Sequence, residues 1–454
     1  MMEGFVPWFV ALSVTVVAAT PGHTPTMIDG STTKDHRPST TDYRLSQHSL
    51  DEVAAGLKAR DVATRLRAIK ILRDAGYPEA AGPLAVALSD PDDRVTLEAI
   101  DAERSLFVLR PVEQRRKVGL VVEVRAQNAG SGTFAAEKLA LLPLVVPPQV
   151  LSGLAGGMRS SNPRVRLAAL SVFGTLAPLG GHEAEAAVRT GIGWTIEALK
   201  RGNRVEQVAA AETAARALAE CGAAMRPSSD PANSLCADTG NALLDAVNSR
   251  DPQVRRAAMT ALGELRYPNA AQALSDQLSF YQRGADAQAA LAGLAGIGHP
   301  TSVDIFKRAL ASPDTDMRRL AVEGIGRSGS AADLPDLERL GESERAGPVL
   351  LAIHFALLKL GSPIKPDQLV VALKNAALRP LALEYLLELS PALSSRLAEE
   401  LRNQDPPTRM FIADILGFSH NAKVVPALEA AAKDLDPEAA RAATRAIDRI
   451  KLGS

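Results

Sequence analysis

Asp251-Pro252-Gln253-Val254-Arg255-Arg256-Ala257-Ala258-Met259-Thr260-Ala261-Leu262-Gly263 decides the reading of this chain. Asp251 is a good helix N-cap, and Pro252 suits the first helical position, where its missing N–H costs nothing. Val254, Ala257, Ala258, Ala261 and Leu262 then recur at i, i+3, i+4, i+7 and i+8. That spacing places one apolar stripe along a helix. Gly263 can end or bend it.

The phrase returns along the chain. Asn162-Pro163-Arg164-Val165-Arg166 leads to Ala169, Leu170, Phe173 and Gly174, and Asp314 to Arg319 leads to Ala321, Ile325 and Gly326. Asp286 to Gly298 is the copy between, so the period is about 30 residues. Looser copies are Arg65–Gly76, Asp92–Leu106, Leu350–Gly361, Leu381–Leu389, Arg409–Gly417 and Ala439–Ile450. A second apolar segment separates the phrases, at Ala271–Leu278, Val303–Leu310, Gln368–Leu373 and Val424–Ala431. A lone helical hairpin cannot bury both stripes, so neighbours must stack. The pattern predicts an all-α fold, an α-solenoid of roughly ten helical hairpins over 48–454. It is irregular at 110–148 and carries an insert at 222–240. In the irregular stretch, Val118–Val124 reads as helix, Asn128–Thr133 as a loop, and Leu139–Val150 as a helix-like run interrupted by prolines. Glu438, Arg441, Arg445, Asp448, Arg449 and Lys451 make the last helix polar, as suits a terminal cap with no neighbour outside it.

The phrase resembles HEAT repeats, especially the short bacterial type similar to those of phycobilisome lyases. The resemblance spans most of 49–451. It implies a non-enzymatic scaffold or adaptor that binds another protein along a concave face, with Arg256, Thr260, Arg319 and Glu323 as partner-binding candidates. The alternative it leaves open is a lyase-like or chaperone-like accessory subunit acting on a cofactor-bearing protein. It also implies that Arg166, Arg255 and Arg318, with Asn162, Asp251 and Asp314 in the preceding turns, form an inter-repeat ladder. Exposed pairs contribute only about 0.2–1 kcal/mol each, against about 1.5–3 kcal/mol for burying a Leu or Val. The stripe therefore holds the stack and the ladder orients it.

Chemistry is sparse. There is no Gly-x-Ser-x-Gly elbow and no His-Glu-x-x-His. A HEAT-like di-iron hydroxylase is similar in fold but needs several His-Glu pairs, and this chain has His182-Glu183 alone. Asp90-Pro91-Asp92-Asp93 lacks the Gly and Glu of a calcium loop and reads as helix capping. No catalytic residue, cofactor or metal ligand is expected. Lys plus Arg number 51 and Asp plus Glu 52, so net charge exerts no global pull toward nucleic acid. A base-holding groove would need aromatic residues, and the chain has two Trp, Trp8 in the leader and Trp194.

Phe5–Ala19 is an apolar run too short for a membrane span, which needs about 20 residues. Val17-Ala18-Ala19 suits signal peptidase, so residues 1–19 read as a signal peptide ahead of an extracytoplasmic chain. Glu3 and the lack of a basic n-region leave an uncleaved anchor or a misassigned start open. With the leader removed no span is expected. Residues 20–47 have the composition of a disordered linker.

Cys221 and Cys236 are the only cysteines and flank the polar insert. In an oxidising compartment they are a possible disulfide, stabilising by roughly 3 kcal/mol for a loop of about 15 residues. Two reduced thiols filling gaps between helices are the other reading. Alkylation of unfolded, non-reduced protein from its native host is expected to label no thiol; two labelled thiols would rule the bond out.

Overall fold

Each recurring phrase folds as a helix, and these helices stack in sequence order. The computed structural model describes residues 47–109, 132–218, 231–402 and 404–453. The leader at 1–19, nearly all of the linker at 20–47 and the Val118–Val124 segment lie outside the described residues. Residues 45–454 form one compact unit.

The first hairpins are α1 (Gln47–Ala55) with α2 (Val62–Ala75), and α3 (Ala81–Leu84) with α4 (Asp93–Phe107). After α5 (Gly132–Ala140) come α6 (Pro148–Gly157) with α7 (Pro163–Leu176), and α8 (Glu185–Arg201) with α9 (Arg204–Ala217). Next are α10 (Pro231–Val247) with α11 (Pro252–Glu264), and α12 (Ala271–Tyr281) with α13 (Ala285–Ile297). Then follow α14 (Val303–Ala309) with α15 (Thr315–Ser328), and α16 (Leu334–Ser343) with α17 (Gly347–Lys359). The last are α18 (Asp367–Ala372), the long α19 (Arg379–Glu400), α20 (Pro406–Leu416), α21 (Val425–Ala431) and α22 (Pro437–Leu452). The phrase helices α2, α4, α7, α9, α11, α13, α15 and α17 pack each on the next. The fold is an all-α solenoid.

Local chemistry sets the helix starts. Asp251 accepts from the N–H groups of Gln253 and Val254, at 2.8 and 3.3 Å. Asp314 and Asn162 cap α15 and α7 in the same way. The stripe is buried as its spacing requires: Val254, Ala258, Leu262, Leu294 and Ile325 are at most 2% exposed. α11 runs one residue past Gly263, to Glu264. Gly263 lets two backbones approach: a Cβ there would lie 2.7 Å from the Gly293 Cα of α13.

Four expectations need correction. Leu139–Val150 is not helix-like throughout, because α5 stops at Ala140 and α6 starts at Pro148. Pro143 and Pro147 hold the residues before them extended. Leu109 N–H donates to Ala140 O and Leu142 N–H to Phe107 O, at 2.7 and 2.8 Å. Gly132 and Thr133, read as loop, open α5. The insert is shorter than 222–240, since α10 starts at Pro231, a residue suited to a first helical turn. Finally, α22 does have a neighbour. Arg449 is buried, donates to Leu141 O and lies 4.1 Å from the centre of the Phe418 ring. Burial pushes its pKa down to about 10.

One stripe position breaks the apolar rule. Counting from Val165, Val254 and Met317, the same step that reaches Phe173, Leu262 and Ile325 leads from Val95 to Glu103. Glu103 is fully buried, and among the described residues neither carboxyl oxygen has a hydrogen-bond partner. Burial raises its pKa well above the ordinary value, which disfavours the charged form. Leaving such a group unsatisfied costs about 1–3 kcal/mol. Glu103→Leu is therefore expected to raise stability by about that amount in denaturant melts at pH 7. A loss of stability would show that the carboxyl has a role in the fold.

Candidate functional site

The phrase helices carry charge at both ends, and the two ends are built differently. At the N-terminal end, one arginine per phrase ties two units together. Arg255 donates to Ser249 O in its own preceding turn and pairs with Asp286 of the next phrase at 2.9 Å. Arg166 does the same with Ser160 O and Glu206, and Arg318 with Ser312 O and Glu344. Arg65 with Asp90 and Arg409 with Asp434 extend the series, both at 2.6 Å. The expected inter-repeat ladder exists, with one change of partners. Asp251, Asp314 and Asn162 cap their own helices, and other carboxylates receive the arginines. Asp92 likewise caps α4, while Asp90 takes Arg65.

At the C-terminal end the cations face α5 and α19. Arg216 of α9 pairs with Glu137 of α5 at 3.3 Å. Arg266, just past α11, reaches Glu388 of α19 at 3.1 Å. Arg327 of α15 and Lys359 of α17 reach the same carboxylate, both at 3.0 Å. Cations near helix C-termini are favoured by the helix dipole, and Glu388 draws three of them to one point. Burial acts to raise its pKa, but Arg327, Lys359 and Arg266 prevail and hold it at about 2. α19 thus lies across the ends of three phrase helices and also packs on α5.

The four partner-binding candidates divide. Thr260 is exposed on α11, and Arg256 is partly exposed, 3.9 Å from Asp286. Arg319 and Glu323 are not open to a partner, a correction to the expectation. Glu323 is buried, receives the Tyr385 hydroxyl of α19 at 2.5 Å and pairs with Arg319. Tyr385 stacks on Phe355 of α17, with ring centres 4.4 Å apart. Burial, with Glu323 beside it, raises the Tyr385 hydroxyl well above its usual range, so it stays a donor. The physical reason is α19: it fills the space that a partner on α15 would need.

His182 and Glu183 are exposed in a short 3-10 turn. Cys236 is buried and disulfide-bonded, and Cys221 lies outside the described residues. Sequence reasoning missed Glu388 and Tyr385. The available signal was Glu384 and Glu388, one helical turn apart in the loose copy beginning at Leu381.

Residues 282–357 match the family described as HEAT repeats. Over those residues the chain carries HEAT repeats. That stretch runs from just before α13 into α17, where the stripe is most regular. No curated protein sequence matches the chain. Among solved structures, an engineered protein is 16% identical, with a TM-score of 0.39 over 88% of this chain and 98% of its own. The complex of CpcE and CpcF of phycocyanin lyase from Nostoc sp. PCC7120 is 17% identical, with a TM-score of 0.35 over 67% of this chain and 94% of its own. Importin beta is 15% identical, with a TM-score of 0.35 over 88% of this chain and 50% of its own. At these values the site must be read from its own residues.

Removing Glu388 takes a carboxylate from Lys359 and Arg266 and leaves the buried Arg327 with Glu323 alone. Glu388→Ala is expected to cost about 3–5 kcal/mol in chemical denaturation. Because its folded pKa is depressed, its contribution is present above about 4.5 and is lost as pH falls toward about 2. The wild type should lose stability across that window, and the variant should lose less. Equal acid sensitivity in both would refute the hub.

Proposed function

We propose that this chain is a non-enzymatic scaffold or adaptor that binds another protein on the part of the HEAT-repeat face that α19 leaves open. The observation that supports this reading is the division among the four candidate residues. Glu323 is engaged with Tyr385 of α19 and Arg319 with Glu323, whereas Thr260 and Arg256 of α11 remain accessible. A partly exposed arginine beside an exposed hydroxyl can donate to carboxylates or carbonyls of a partner without breaking the stack. Stacked repeats present such groups at a regular spacing, and binding needs no further machinery. In this reading the partner is met outside the cytoplasm, after removal of a leader over 1–19. Among the described residues, no helix is long and apolar enough to cross a membrane.

The test is affinity capture from the native compartment, with Arg256→Glu/Thr260→Arg compared with wild type. Arg201→Glu, at an exposed site on α8, serves as the control. The double variant should lose the wild-type partner by tenfold or more, an interface effect of at least about 1.4 kcal/mol, and the control should retain it. Equal capture by all three would overturn the assignment of the face. A chromophore or metal co-purifying in stoichiometric amount would favour the accessory-subunit alternative.

A further inference from the structure

We propose that the adjoining turns α10–α11 and α12–α13, where Phe280 stands exposed between Arg250 and Arg283, are a docking surface for an extended acidic segment of a protein partner.

The surface starts from a residue that the stack does not use. Leu274 and Leu278 of α12 pack into the core on one stripe. Phe280 falls off that stripe and is 78% exposed. One scattered apolar side chain on a surface means little. Phe280 is not isolated. Its ring meets Tyr281 edge to face, with centres 4.9 Å apart. The Arg255 guanidinium lies 5.0 Å from the centre of the Tyr281 ring. Arg255 is itself fixed by Ser249 O and Asp286, the ladder contacts described above. The aromatic pair is thus backed by the ladder, and a partner that covers it has little left to order.

Two cations accompany the pair. Arg283 stands in the α12–α13 turn, where Gln282 and Gly284 both have positive φ, 58° and 83°. A glutamine seldom adopts that backbone, and here it carries the chain to Arg283. Arg250 follows Ser249 in the α10–α11 turn, so the Arg255 bond to Ser249 O and its place over Tyr281 bring the two turns together. Arg250 and Arg283 are exposed, and neither pairs with a carboxylate among the described residues. The carboxylates of the turns are already engaged: Asp251 caps α11, and Asp286 takes Arg255. Arg256, 3.9 Å from Asp286, borders the patch. Two exposed acids stand further back, Asp245 on α10 and Asp276 on α12, the latter accepting from Gln272.

The partner must therefore bring negative charge beside an apolar group. Carboxylates answer the two guanidinium groups with charge-assisted hydrogen bonds, and an apolar side chain covers Phe280. Aromatic residues and arginine are the types that dominate binding at protein interfaces. An extended segment can present acids on either side of one apolar residue. A continuous anionic surface, such as a bilayer, would also press its charge on Asp245 and Asp276. The patch does not use Thr260, so it stands or falls apart from the face proposed above.

A fluorescein-labelled peptide, Ser-Asp-Glu-Leu-Asp-Glu-Ser, titrated with the full chain at low salt and read by anisotropy, tests this. The wild type should bind with a Kd of about 100 μM or tighter. Phe280→Ser and Arg283→Glu should each weaken binding by about fivefold or more. Both positions are exposed, and helical dichroism checks that the fold is kept. Arg339→Glu, at an exposed site on α16, should bind as the wild type does. No binding by the wild type, or equal binding by all four proteins, would overturn the proposal. Vesicles of equal parts phosphatidylserine and phosphatidylcholine are tested in parallel. Retention on them in place of peptide binding, lost in Phe280→Ser, would assign the patch to a membrane and also overturn it.

Discussion

No hairpin of this chain can bury its own apolar stripe, and everything else follows from that constraint. Val254, Leu262 and their counterparts leave water only when the next phrase helix covers them. Each buried Leu or Val contributes about 1.5–3 kcal/mol, so the stack holds by repetition and not through one central core. Glycines set how near the helices come. Gly263, Gly293 and Gly296 bring α11 and α13 close enough that a Cβ at any of them would meet the neighbouring backbone. The arginine ladder then fixes register, since each guanidinium binds both a turn carbonyl and the next carboxylate.

Stacking leaves a second problem, at the C-terminal ends of the phrase helices. Arg216, Arg266, Arg327 and Lys359 would form an uncompensated cationic edge if nothing faced it. α5 and α19 supply the opposing carboxylates from within the chain. The same packing buries Tyr385 against Phe355 and brings its hydroxyl to Glu323. In the proposed scaffold role, the helix that neutralises the edge also limits which part of the repeat face is left for a partner. Glu388 stays ionised in spite of its burial because Arg327, Lys359 and Arg266 surround it.

The repeats were legible because their signal is local. The cap at Asp251, the proline after it and the stripe from Val254 to Leu262 lie within one helix, and α11 begins and packs as they predict. The second helices at 271–281 and 303–309 were legible for the same reason. The hub was not, because Glu388 and Arg266 are far apart in the chain and nothing in either neighbourhood names the other. Arg449 was misread on similar grounds. Charge on a last helix suits a solvent-facing cap, and only the fold brings Leu141 O to it. Glu103 was visible in the stripe as an acid where Leu262 and Ile325 stand. Its burial follows from that register.

The central claim is that α19 reaches across the stack to the end of α11. A double-mutant cycle between Arg266 and Glu388 measures this contact directly, using Arg266→Ala, Glu388→Ala and the double variant in the full chain. The structure predicts a coupling free energy of about 0.5–3 kcal/mol between these two residues. Strict additivity of the two substitutions would mean that the charges do not meet, and α19 would then have to lie elsewhere.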